Sequence, residues 1–187
     1  AAPAVTQLQS AAMKILLLGG TRFLGRHLAE QAIAAGHDVT LLHRGQSGPT
    51  LFPQARHLIA DRNGDLAVLD DGSTWDVAID TNAYVPRHVR SVAAHLAGRV
   101  ARYHLVSTIS VYGEFGSDGP TEGSPLATLA DPTTEAVTGE TYGGLKVLCE
   151  RAAQEAFGNA CLVSRPGLLV GPHDPTGRFT WWVERLA

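Results

Sequence analysis

Tyr142 and Lys146 stand four residues apart, so their side chains share one face if the segment is helical. A tyrosine phenol has an ordinary pKa of about 10 and is a poor base at neutral pH. A neighbouring ammonium favours the phenolate and brings that pKa closer to the working range. The pair therefore predicts an acid–base catalyst. The alternative is an exposed helical pair that contributes about 0.3 kcal/mol to stability.

A catalytic pair of this kind needs a further hydroxyl group to hold the substrate oxygen. Ser107, Thr108 and Ser110 offer three candidates at the end of the preceding predicted strand, and Thr108 is the first choice.

A glycine-rich segment follows the first apolar strand, as expected for a turn that binds a dinucleotide. A helix that begins there directs free N–H groups and a favourable dipole at phosphate, and glycine allows the close backbone approach. The predicted contacts are Gly19, Gly20, Thr21, Arg22, Phe23, Leu24 and Gly25. An arginine at position 22 could bind the pyrophosphate or a 2′-phosphate. The alternative is a tight turn without a ligand.

The second predicted strand ends in His43 and Arg44, where an NAD-selective site normally has an acidic residue. Because Arg44 places a cation there and no carboxylate would repel a phosphate, the site favours NADP(H) over NAD(H). The alternative is that Arg44 is a solvated loop residue.

Asp61 and Arg62 follow the third strand, and Asp61 could bind the adenine edge or simply cap a turn. The positive nicotinamide of an oxidised coenzyme would also favour the phenolate of Tyr142.

Strands and helices alternate along the chain, which predicts an α/β fold with a doubly wound parallel sheet. Strands are predicted at Lys14–Leu18, Asp38–His43 and residues 55–60, 76–80, 103–107 and 160–164. Helices are predicted at residues 23–35, 64–69, 87–96, 141–157 and 179–186.

Residues 113–139 are rich in Gly, Pro, Ser and Thr and show little periodicity, so we expect a substrate-side lid. Residues 1–12 resemble an added leader before a native start at Met13, followed by one domain from 13 to 187. The last helix carries an aromatic face that must pack on something.

Composition excludes several classes of function. Hydrophobic residues make up 44% of the 187 residues, enough for one substantial core, and the net charge of −3 argues against nucleic acid or anionic lipid as a partner. Cys149 and Cys161 have no paired spacing and the eight histidines are scattered, so we predict no disulfide and no metal site. We expect a cytoplasmic protein with no membrane span.

The motifs together resemble the extended or atypical branch of the short-chain dehydrogenase/reductase superfamily, the NAD-dependent epimerase/dehydratase family. Four segments, residues 19–25, 107–113, 142–146 and 165–172, follow the family order and cover the chain from Met13 onward. The resemblance implies a Rossmann fold and an enzyme that transfers hydride at an alcohol or ketone carbon, of a nucleotide sugar for instance.

The resemblance also implies roles for individual residues. The family pattern selects Thr108 as the catalytic hydroxyl, makes Tyr142 the proton donor or acceptor, and has Lys146 bind the nicotinamide ribose. Further residues are implied to line the coenzyme: Thr81, Asn82, Ala83, Pro166 and Gly167.

Two features depart from the common family pattern. Arg22 and the pair of His43 and Arg44 are the first departure, and residues 19–23 resemble an atypical subgroup that includes RNA-associated chloroplast proteins. A dinucleotide-sensing or RNA-binding protein without turnover is therefore the alternative function. Relatives continue well past Pro172, so most of the usual C-terminal substrate domain is expected to be absent. The chain is then either a fragment or a protein with a reduced substrate site.

The sequence leaves two alternatives for the oligomeric state. The alanine- and leucine-rich faces of helices 87–96 and 141–157 could pack on a second copy, or a monomer could bury them against its own sheet.

Overall fold

A computed structural model describes residues 11–186 of the chain. Of the predicted leader, residues 1–12, only Ala11 and Ala12 are among the described residues. Six strands form one parallel sheet in the order β3-β2-β1-β4-β5-β6. Their bounds are β1 Lys14–Leu18, β2 Asp38–His43, β3 Arg56–Ile59, β4 Trp75–Asp80, β5 Val100–Val106 and β6 Cys161–Ser164.

Four α-helices accompany the sheet: α1 Phe23–Ala34, α2 Pro86–Leu96, α3 Tyr142–Phe157 and α4 Thr180–Leu186. Short 3-10 turns lie at Ala67–Leu69, Ile109–Val111 and Gly158–Ala160. Helix α2 begins at Pro86, whose fixed φ suits the first helical position and whose missing N–H costs nothing there.

The sheet is covered on both faces, because alternate residues of each strand point in opposite directions. On β1, Ile15 and Leu17 belong to an apolar cluster with Ala29 of α1. Leu16 and Leu18 point the other way, into a cluster that includes residues of α2 and α3. Helices on both faces of a parallel sheet confirm the predicted doubly wound α/β class.

Most predicted elements match the structure to within one residue at each end, but the predicted helix 64–69 and strand 103–107 do not. The predicted helix 64–69 is only the 3-10 turn Ala67–Leu69, because Asp65 accepts a hydrogen bond from the Ala67 N–H and closes a short turn instead. Strand β5 begins three residues earlier than predicted, since Val100 pairs with Trp75 of β4. Strand β4 correspondingly begins at residue 75.

The lid segment, residues 113–139, has no helix or strand, as its composition predicts. Its middle is attached by an antiparallel bridge between Leu126 and Tyr112. Near its end Glu135 accepts hydrogen bonds from Nε and Nη2 of Arg87 on α2. These are two of the places at which the segment is tied to the body of the protein.

The aromatic residues of α4 do not pack on the rest of the described chain as the sequence led us to expect. Trp181 and Trp182 contact each other edge to face, and their exposed fractions are 50% and 58%. The apolar faces of α2 and α3, by contrast, are buried within the one chain. None of the described helices combines the length and apolar character needed to cross a membrane.

We predict that Gly25→Ala destabilises the protein by about 1–3 kcal/mol, because an added Cβ overpacks the turn. That Cβ would lie 2.0 Å from the carbonyl oxygen of Gly19, which is backbone and has little room to move. Urea unfolding measures the effect. Gly64→Ala is the control, because its Cβ would meet the Asp61 carbonyl at an ordinary 3.6 Å. Equal stability of the two variants would contradict the close contact at Gly25.

Candidate functional site

A cavity of about 930 Å³ lies along the carboxyl ends of the strands. It includes residues that follow β1 and β4, the neighbouring strands between which the strand order reverses. In open α/β sheets, ligands bind at this switch point. The volume is at the upper end of the range for small-molecule sites.

The cavity brings together the residues that the sequence predicted for coenzyme and catalysis. Those that line it are Gly19, Thr21, Arg22, Phe23, Leu24, Gly25, His43, Arg44, Asp61, Arg62, Thr81, Asn82, Ala83, Thr108, Tyr142, Lys146, Pro166 and Gly167. Gly20 is the exception and is not among the residues that line the cavity. A Cβ there would lie 2.5 Å from Cδ2 of Leu41, so this glycine serves packing against β2.

The turn between β1 and α1 has the backbone that its glycines predict. Gly19 has a φ of +98°, a conformation that favours glycine. Gly25 leaves the space that lets the first turn of α1 lie against the Gly19 carbonyl. Arg22 is exposed at the helix start, and no described residue bonds its guanidinium. A free cation therefore stands beside the free N–H groups of the helix N-terminus.

Arg62 lines the cavity but bonds to residues of the protein. Its Nη1 and Nη2 atoms donate to both carboxylate oxygens of Asp80 at 2.9 and 2.7 Å, and Nη1 also donates to Oδ1 of Asn82 at 2.7 Å. The arginine lines the cavity, but its donors are directed into the protein. It therefore holds the loops after β3 and β4 together.

Asp80 is the centre of this network and was missed by the sequence analysis. Its carboxylate is fully buried and also accepts from the Tyr103 hydroxyl at 2.7 Å and the Asn82 N–H at 3.1 Å. Burial raises the pKa of Asp80, but the charge and hydrogen bonds of Arg62 outweigh burial, and the net pKa is lowered. A carboxylate at the end of a buried strand was the available signal.

His43 lines the cavity, and its ring takes part in a chain of hydrogen bonds. Its Nδ1 accepts from the Gly45 N–H at 3.0 Å, so its Nε2 donates to Nδ1 of His57 at 2.8 Å. The Nε2–H of His57 then donates to the Phe52 carbonyl at 3.2 Å. Burial lowers the pKa of His43, and the nearby His57 acts in the same direction. His43 thus positions the Gly45 backbone next to Arg44.

Arg44 and Asp61 lie at the end of the cavity near β2 and β3. Arg44 is exposed, and no described residue bonds its guanidinium. Hydrogen bonding with Asn63 lowers the pKa of Asp61, and the charge of Arg44 acts in the same direction. A carboxylate therefore does stand near Arg44, although the sequence placed none on the second strand.

Lys146 is buried, and its Nζ donates to the carbonyl oxygens of Ala83 and Val106, both at 2.8 Å. Desolvation lowers the pKa of Lys146. An ammonium has three donors, and the described residues accept two of them. The third remains for a group in the cavity.

Thr108 lies close to the phenol of Tyr142, as the family pattern implies. Burial raises the pKa of Tyr142, and hydrogen bonding with Thr108 opposes that rise. The lowered pKa expected from the sequence is therefore not found in the protein alone, because loss of solvent outweighs the favourable neighbours. The phenol is protonated at neutral pH, as a proton donor must be.

Ser107, one of the three candidate hydroxyls, and Arg178, which was not predicted, also line the cavity. The Ser107 hydroxyl is buried with no hydrogen-bond partner among the described residues. The charge of Arg178 opposes the rise in the pKa of Tyr142 that burial causes. No sequence signal distinguished Arg178, since it follows an irregular segment. Residues Val137, Thr138 and Gly139 of the lid segment also border the cavity.

Residues 15–72 match the sequence model of the NAD dependent epimerase/dehydratase family. Over these residues the match agrees with the family that the motifs predicted. The chloroplast stem-loop binding protein of 41 kDa b from Arabidopsis thaliana is 41% identical over 58 residues, which is 31% of this chain and 14% of the Arabidopsis protein.

Solved structures show the same fold over most of the chain. A UDP-galactose 4-epimerase superposes with a TM-score of 0.72 and 21% identity, covering 92% of this chain. The Bordetella bronchiseptica enzyme WbmG, in complex with NAD, superposes with a TM-score of 0.76 and 19% identity, covering 97% of this chain. The chain spans 63% and 61% of these two proteins' lengths.

We predict that the unfolding free energy falls with pH below about 6.5, the unfolded-state pKa of histidine, in part because of His43. The folded state holds His43 neutral with a lowered pKa, so only the unfolded state gains the proton as pH falls toward that value. Urea unfolding between pH 8 and 5 measures the slope. In His43→Asn the amide oxygen can still accept from the Gly45 N–H but does not titrate, so the slope should be shallower. An unchanged slope would refute the assignment.

Proposed function

We propose that the chain binds a nicotinamide dinucleotide and catalyses hydride transfer at an alcohol or ketone carbon, with Tyr142 handling the proton. The observation that carries the proposal is that the glycine turn, Thr108, Tyr142 and Lys146 border one cavity at the switch point of the sheet. Residues from four separate segments of the chain meet there.

The cavity fits a dinucleotide along its length. Gly19 and Gly25 border the cavity at the start of α1, where N–H groups and the dipole favour the pyrophosphate. Arg22 adds a cation at that point. Asp61 and Arg44 are available to the adenosine half, and Lys146 has one donor left for the nicotinamide ribose.

When bound, the coenzyme supplies or accepts the hydride. The side chains supply the proton chemistry and the orientation. Tyr142 donates its proton to a substrate oxygen in reduction and accepts one in oxidation, while Thr108 holds the same oxygen. The raised pKa of Tyr142 suits the donor role in the protein alone. The positive charges of Arg178 and of an oxidised nicotinamide favour the phenolate required in the other direction.

A nucleotide sugar is the proposed substrate class. One structural neighbour is a UDP-galactose 4-epimerase, and another is an NDP-hexosamine 5,6-dehydratase described as NAD dependent. Leu168 and Arg178 line the cavity together with Tyr142. The guanidinium of Arg178, whose charge also acts on the Asp174 carboxylate, is suited to a negatively charged substrate.

The preference for NADP(H) over NAD(H) rests on Arg44 alone. Its unpaired guanidinium at the adenosine end could bind a 2′-phosphate. Asp61 stands near it and would repel the same phosphate, and WbmG is described with NAD. We retain NADP(H) as the proposal because the Arg44 guanidinium, which no described residue bonds, carries more weight than the nearby Asp61 carboxylate.

Titration with NADPH and NADH, followed by nicotinamide fluorescence, tests the coenzyme. We predict that Arg44→Ala weakens the binding of NADPH by about tenfold or more and leaves the affinity for NADH nearly unchanged. A hydrogen bond to a charged group contributes about 1.5–3 kcal/mol. Arg102→Ala is the matched control, because it removes the same charge from an exposed position on β5 outside the cavity. Equal loss of both coenzymes would reject NADP selectivity. Failure of both to bind the unaltered protein would reject the proposed function.

Tyr142→Phe tests the proton role. We predict that turnover of a responsive nucleotide sugar falls about 100-fold or more, because general acid–base catalysis contributes that much. Coenzyme affinity and thermal unfolding should stay close to those of the unaltered protein, since only one hydroxyl is removed. Full activity in this variant would end the assignment.

The second candidate is a dinucleotide-sensing or RNA-binding protein without turnover. It draws support from the name of the Arabidopsis protein that matches part of the chain. A salt-dependent mobility shift with stem-loop RNA, together with no reduction of any nucleotide sugar, would favour it. The net charge of −3 and the buried Lys146 favour the enzyme instead.

A further inference from the structure

The guanidinium of Arg165, directly after β6, bonds to three different segments of the chain. Nε and Nη2 donate to the two carboxylate oxygens of Glu150 at 3.1 and 2.7 Å. Nη1 donates to the Tyr112 hydroxyl at 3.0 Å and to the Glu122 carbonyl at 3.5 Å. The guanidinium also lies over the Tyr112 ring, 5.0 Å from its centroid.

These partners belong to the elements that carry the proposed catalytic residues. Glu150 follows Tyr142 by eight residues on α3, which is two turns and roughly 12 Å along the helix. Tyr112 follows Thr108 by four residues. Glu122 lies in the lid segment. Arg165 therefore contacts the helix of Tyr142, the turn of Thr108 and the lid at once.

The ion pair between Arg165 and Glu150 is shielded from water. The exposed fractions of the two side chains are 20% and 8%. A forked arginine–carboxylate contact of this kind fixes direction as well as distance, because both parallel bonds must be made together. A lysine could keep the charge but not this geometry.

A second contact restrains the same two elements near the cavity. A Cβ at Gly143, in the first turn of α3, would lie 2.1 Å from the carbonyl oxygen of Ser110. The backbone around Ser110 therefore touches the helix directly. The Ile109 N–H also donates to the Pro166 carbonyl at 3.0 Å, next to Arg165. The Thr108 turn is held at one end by backbone contact and at the other by the guanidinium.

We propose that Arg165 is a positioning residue that sets the placement of the Thr108 hydroxyl against the Tyr142 phenol. It touches neither the cavity nor a reacting atom, and it acts through Tyr112 and Glu150. The importance of that placement rests on the proposed function, but the placement itself is a property of the protein without coenzyme.

The test measures the ionisation of Tyr142 by NMR of protein labelled with ¹³Cζ-tyrosine, with the signal assigned from Tyr142→Phe. Because hydrogen bonding with Thr108 lowers the pKa of Tyr142, Thr108→Val should raise it. In an Arg165→Met background we expect Thr108→Val to produce about half that shift or less, since residues in one network couple. Arg165→Lys, which keeps the charge, should reduce the shift in the same way.

Arg99→Met is the matched control. Arg99 also lies over an aromatic ring, that of Trp75 at 5.6 Å, and donates to the Ser73 carbonyl and the Asp71 carboxylate. Arg99 lies just before β5, at the end of the sheet away from the cavity. In the Arg99→Met background, Thr108→Val should therefore raise the pKa of Tyr142 as much as it does in the unaltered protein. Thermal unfolding of both variants separates lost stability from lost placement.

A full Thr108→Val shift in both Arg165 variants would overturn the proposal and leave Arg165 as a stabilising residue only. If Arg165→Met does not fold, Glu150→Gln gives the same measurement, since it weakens the forked contact from the other side. No coenzyme is present in these experiments. Failure to bind NADPH or NADH would therefore reject the proposed function without deciding this proposal.

Discussion

The burial of the Asp80 carboxylate is the constraint on which the cavity depends. A buried charge must be paired and hydrogen-bonded, and Asp80 obtains its partners from three places: Arg62 after β3, Tyr103 on β5 and the backbone of Asn82. These bonds draw the loops after β3 and β4 together across the end of β1. The switch point of the sheet is thereby given a defined shape, with Arg62 forming part of its wall.

Lys146 shows a related use of burial. Its ammonium has little access to water and is satisfied by the carbonyl oxygens of Ala83 and Val106, which follow β4 and end β5. The lysine thus links α3 to the ends of two strands as well as presenting a donor to the cavity. Asp80 and Lys146 together join the loops after β3, β4 and β5 to the helix that carries Tyr142.

Small residues set the distances between these elements. Gly25 brings α1 against the turn after β1, Gly20 admits Leu41 of β2, and Gly143 brings α3 against the Ser110 backbone. In each case the contact is with a neighbouring main chain or a core side chain, so a Cβ would push two elements apart. The glycines near Tyr142 are consequently as much a part of the site as the residues that could do chemistry.

The sequence by itself determined the fold class and many of the residues around the cavity, because hydrophobic alternation and glycine-rich turns are local signals that parallel topology brings to one edge of the sheet. Spacing singled out Tyr142 and Lys146, and the family pattern singled out Thr108. Only the tertiary structure decided where each side chain is directed. Arg62 faces Asp80, His43 faces His57, and burial raises the pKa of Tyr142. Those outcomes depend on partners and solvent access between segments far apart in the chain, which local spacing does not encode.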